Sequence, residues 1–138
     1  MLKEKAPSMD AWLAEAKSDI NASECGMYLF HNGVVRETAK LTARDGIYAP
    51  KVKGMSFSFD IDKVAEAKEK AMRMPGIKYV RIWLNSGELE VGDDIMLVLI
   101  GGDIRPNVVD ALQSLVGELK SKCVTEKEIF LEKTGHTF

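Results

Sequence analysis

Apolar residues near the start of the chain recur at the helical period. Met9, Trp12, Leu13, Ala16 and Ile20 share one helical face, and Ser8 before them suits an N-cap. Residues 21–26 break the pattern. A strand follows over residues 27–36, with a bulge or close backbone approach expected at Gly33. Residues 37–53 are polar and contain the turn signal Asp45-Gly46, so they read as a mobile surface loop. Residues 55–59 alternate with period two, which predicts a half-buried strand.

Asp60 or Asp62 then opens a helix running to Met74. Its expected apolar side is Ile61, Val64, Ala65, Ala71 and Met72, and Glu66/Lys70 and Glu69/Arg73 are four-apart pairs on its wet side. Pro75-Gly76 ends it. Residues 77–84 form a strand, residues 88–91 a shorter one, and Gly92-Asp93 a turn. Residues 95–100 are apolar throughout, the mark of a central strand covered on both faces. Pro106 suits the first turn of a helix carried by Val108, Leu112, Leu115 and Leu119. Residues 124–131 make a last strand, and 133–138 a frayed tail. The order predicts an α+β fold, with helices packed on a mixed or antiparallel sheet in one domain spanning 1–138.

Composition narrows the function more than the fold. At 138 residues the chain can bury one good core. A formal net charge of −2 argues against a general nucleic-acid binder. The longest apolar run is too short to cross a bilayer, and the charged N-terminus lacks the apolar stretch of a secretory signal. Cys25 and Cys123 fit no metal or redox spacing, so a cytoplasmic protein with two reduced thiols is expected, with neither metal nor cofactor.

Chemistry concentrates between Gly87 and Lys127. The stretch holds Gly87-Glu88-Leu89, Gly92-Asp93, the buried run, Arg105-Pro106, Lys120 and, seven residues later, Lys127. Upstream, Phe30-His31-Asn32-Gly33-Val34-Val35-Arg36 ends the first strand. Together these motifs resemble the large, catalytic subunit of molybdopterin synthase over residues 26–130. An ungapped count from the Gly92-Asp93 turn puts the family's arginine on Arg105 and its two catalytic lysines on Lys120 and Lys127.

The resemblance implies a dimeric fold of the α/β-hammerhead type and a sulfur transfer. Enzymes of that family convert cyclic pyranopterin monophosphate into the dithiolene-bearing molybdopterin. Sulfur arrives as a thiocarboxylate on the Gly-Gly C-terminus of a small ubiquitin-like partner, and two large subunits pair centrally. Lys120 is accordingly assigned to the incoming thiocarboxylate and Lys127 to pterin binding and proton transfer. Arg36 and Arg105 suit bidentate grip on phosphate oxygens. His31, standing where the family has an aromatic, is counted with the substrate-binding residues.

Each assignment has a plainer alternative. Lys120 can simply complement a helix C-terminus, Lys127 can lie on the wet face of an edge strand, and His31 can be a hydrogen-bonded structural imidazole. Cys123, between the lysines, suits a buried inert thiol better than a persulfide carrier. The family's proline and aromatics between the lysines are replaced by residues 121–126, and the histidine before Arg105 by Ile104. These departures favour a second reading: a non-catalytic dimeric module that keeps the fold and binds an anionic ligand or a protein partner.

Overall fold

The computed structural model describes residues 2–131. In chain order the elements are α1 (Met9–Lys17), β1 (Met27–Val34), α2 (Lys40–Asp45), β2 (Val52–Phe59), α3 (Ile61–Met72), β3 (Ile77–Leu84), β4 (Gly87–Glu90), β5 (Asp94–Gly102), α4 (Arg105–Glu118) and β6 (Val124–Phe130). A 3-10 turn at Ala22–Glu24 precedes β1, and a π-helical turn at Leu119–Cys123 joins α4 to β6. The expected tail at 133–138 lies outside the described residues.

Every strand pairing is antiparallel, and the strands divide into two three-stranded sheets rather than the one expected. The first has the order β1-β5-β3 and the second β4-β2-β6. The apolar run behaves as its pattern demands. β5 is the middle strand, with Trp12 and Ala16 of α1 packed on Leu97 and Leu99 from one side. Val108, Ala111 and Leu115 of α4 join Val98 and Ile100 on the other. Val98 and Ile100 are fully buried, and such a side chain contributes about 1.5–3 kcal/mol. The second sheet turns Met55, Phe57 and Leu89 into the same core, while Ser56, Ser58, Glu88, Thr125 and Lys127 on its other face are exposed.

Local signals set most boundaries. Ser8 caps α1 through its hydroxyl, which accepts from Ala11 N at 3.2 Å. The Asp60 carboxylate caps α3 by accepting from Asp62 N and Lys63 N. Two expectations need correction. α1 stops at Lys17, leaving Ile20 92% exposed. The buried side of α3 is Ala67 and Ala71, whereas Ile61 is 71% exposed and Met72 and Ala65 also face solvent. Small alanines let α3 lie close against β3 and α4, and bulkier apolar residues flank that contact.

Candidate functional site

The acidic turn between β4 and β5 is the starting point, because it fixes the end of β1. Gly92, at φ +93°, donates its N–H to Val35 O at 2.8 Å, and Val35 N donates to Asp93 O at 2.9 Å. The Asp93 carboxylate closes the turn by accepting from Glu90 N at 2.8 Å and pairs with Lys3 at 2.9 Å. These contacts hold its carboxyl below the usual range, the Glu90 N–H contributing most. The Asp93-Asp94 pair is thus a structural turn. Among the described residues no group of three or more potential ligands is placed to hold a metal ion. Clamping Val35 presents the next side chain, Arg36, at the mouth of a cleft.

Five elements besides β1 wall this cleft. β1 supplies His31 and Gly33, the segment just after it Arg36, α2 Lys40 and Arg44, the π-helical turn Lys120, and β6 Glu126 and Glu128, while Met55 of β2 and Ile95 and Met96 of β5 form the apolar floor. Four cations and two carboxylates leave a lining charge of 4 − 2 = +2 with His31 neutral. The cleft measures about 210 Å³, below the roughly 300 Å³ at which small-molecule sites begin. It has room for the charged end of a ligand, with the remainder in solvent or against another chain.

His31 is held in an unusual state. Among the described residues its buried Nε2 has no hydrogen-bond partner, so no bond at that nitrogen makes it a structural imidazole. Burial first, and the Lys120 charge second, push its pKa down. The ring stands beside Gly33, where an added Cβ would meet His31 Nε2 at 3.7 Å and Met96 Cγ at 3.1 Å.

The sequence-derived residues therefore separate. His31, Arg36 and Lys120 meet at one cleft although they are distant in sequence. Lys127 does not line it. Strand residues alternate faces, and with Glu126 and Glu128 turned inward Lys127 faces out, opposite Ser56. A π turn takes up more residues than an α turn, so a residue count from Lys120 does not fix which face of β6 a side chain occupies. Arg105 opens α4 at the end remote from Lys120, roughly 20 Å away along the helix. Arg36 also donates its Nε–H to Thr38 O at 2.9 Å, which leaves its terminal nitrogens uncommitted in that bond.

Lys40 escaped sequence reasoning because α2 lies inside the segment read as a loop, and Arg44 ranks below Arg36 there because Arg36 ends a strand beside Gly33. The helix is short and lacks a side-chain cap of its own. Tertiary contacts hold it instead: Ala39 is buried, and Lys40 N donates to Glu128 Oε2 at 3.0 Å. Cys123 is buried at the end of the π-helical turn, and desolvation followed by the Glu118 charge raises its thiol pKa. That environment suits an inert thiol.

Comparison with known proteins agrees with this architecture. The sequence model described as MoaE protein matches residues 4–122. Molybdopterin synthase from Staphylococcus aureus superposes with a TM-score of 0.73 at 18% identity, covering 96% of this chain and 90% of that one. The molybdopterin biosynthesis MoaE protein from Burkholderia ambifaria MC40-6 gives 0.68 at 17% identity, covering 98% and 90%. A complex of subunits 1 and 2 of molybdopterin-converting factor from Helicobacter pylori 26695 gives 0.64 at 16% identity, covering 98% and 91%. No curated protein matches the chain at a significant level. At these identities the solved structures establish the α+β fold. The family match spans most of the sequence, and the chain belongs to the MoaE protein family. Membership assigns it to molybdenum cofactor biosynthesis as a large-subunit homologue. No helix of the described residues is long and apolar enough to cross a membrane.

Proposed function

We propose that the chain is the large subunit of a cytoplasmic molybdopterin synthase and transfers sulfur from a small-subunit thiocarboxylate to cyclic pyranopterin monophosphate. The observation carrying this reading is the convergence of Arg36 and Lys120, with two further cations, on one cleft. Both reactants are anionic at the atoms to be recognised, one through its phosphate and the other through its thiocarboxylate. A net +2 lining attracts both, and Arg36 supplies the planar fork that suits phosphate. Lys120 meets the incoming tail. A dithiolene holds two sulfurs, so two tails are consumed for each product.

Lys127 and Arg105 keep their assignments within this proposal through assembly. With both side chains outside the cleft of one chain, their part in pterin binding requires a homodimer that brings a second chain to the site. The limited volume of the cleft supports such completion. A small subunit as partner is supported by the two-subunit complex among the similar structures.

The test mixes purified protein, a thiocarboxylated cognate small subunit and pyranopterin, and measures dithiolene product. Product from the native chain and its loss in Lys120→Ala is the expected result. Absence of product with a verified cognate partner would support the non-catalytic module instead.

A further inference from the structure

The second ammonium at the cleft comes from an unforeseen place. Lys40 Nζ lies 3.6 Å from Glu126 Oε1, a separation longer than the 2.7–2.9 Å of a good charge-assisted hydrogen bond. The Lys40 side chain is 47% exposed and that of Glu126 26% exposed, so solvent screens the pair and its hold is weak. The backbone of the same residue is fixed separately, by its N–H to Glu128 Oε2. Arg44 follows four residues later on the same face of α2, and it lines the cleft as well. Lys40 can therefore leave Glu126 while α2 stays docked on β6.

We propose that Lys40 is a ligand-binding ammonium of this cleft, parked on Glu126 until an anionic group of the ligand takes the place of that carboxylate. The inference rests on the reading of the cleft as the site of an anionic substrate, and it adds the residue that completes the charge match. Without a ligand, Glu126 partly offsets the crowding of Lys40, Arg36, Arg44 and Lys120. A phosphate entering the cleft meets repulsion from Glu126 and attraction from Lys40. Rotation about the flexible lysine stem transfers the ammonium from one anion to the other. Lys40 thus supplies a positive charge that Lys127 of the same chain, on the outer face of β6, does not bring to this cleft.

Inorganic phosphate is the probe, followed by calorimetry or by phosphorus NMR line shape on the full chain. Lys40→Ala weakens binding about tenfold, and Glu126→Gln tightens it. The gain from Glu126→Gln shrinks by about threefold when Lys40 is already alanine, which is the coupling a double-mutant cycle isolates. Lys53→Ala, removing an exposed charge that does not line the cleft, changes binding less than twofold and controls for net charge. Unchanged affinity in Lys40→Ala, or an equal gain from Glu126→Gln in both backgrounds, overturns the inference. If Arg36→Ala loses phosphate and Lys40→Ala does not, only this inference fails. If the wild type binds no phosphate at tens of millimolar, the reading of the cleft fails with it.

Discussion

Replacing His31 by phenylalanine should make the protein more stable, and increasingly so as pH falls. The imidazole Nε2 is buried without a partner among the described residues, and an unsatisfied buried polar group costs about 1–3 kcal/mol. A phenyl ring carries no such atom. It adds little volume, although Gly33 and Met96 close by set the limit on its fit. The expected gain at pH 7.5 is about 1 kcal/mol, the low end of that range because the rest of the ring is only partly buried. The pH dependence follows from the lowered folded-state pKa. Above the unfolded value of 6.5 the imidazole is neutral in both states and contributes no slope. Below it the unfolded chain binds the proton first, so wild-type stability falls as pH drops, until the folded pKa is passed. Phenylalanine removes that loss. Urea unfolding of both proteins at pH 7.5 and 5.5 measures it, and the gap between them should widen at the lower pH. A constant or narrowing gap would refute the claim that His31 is held neutral.

Three further outcomes follow from the same geometry. Leu119 is fully buried beside Lys120, so Leu119→Ala should cost about 2–5 kcal/mol in urea unfolding. Gly92 has φ +93° and nothing within 4 Å of an added Cβ, so Gly92→Ala tests backbone strain alone and should cost about 1–2 kcal/mol. In the native protein, a thiol reagent should label the partly exposed Cys25 well before the buried Cys123, whose thiolate is disfavoured. Equal labelling rates would contradict the inert-thiol reading.

Much of the fold was legible because its signals were local. The apolar run placed β5 between two layers, Asp60 or Asp62 marked the start of α3, where Asp60 is the cap, and Gly33 foretold the irregularity observed between Gly33 and Val34. Tertiary contacts decided the rest. α2 exists because Ala39 is buried and Glu128 reaches its first amide, neither of which a local pattern records. The buried side of α3 is alanine because β3 and α4 come close, and hydrophobicity alone pointed to the exposed Ile61. For the site, motif spacing pointed to Arg36 and Lys120, and both line the cleft. The same spacing was silent on the orientation of Lys127 after a π turn, and it gave no hint of Lys40 or Arg44.

The decisive observation is lysine footprinting of the complex with a thiocarboxylated small subunit, reading acylation at each lysine by mass spectrometry. A peptide tail seated where Arg36, Lys40 and Lys120 meet shields the amine at 120 from the reagent, by several-fold relative to the free chain. An amine at 120 modified equally fast with and without the bound partner would show that the tail goes elsewhere.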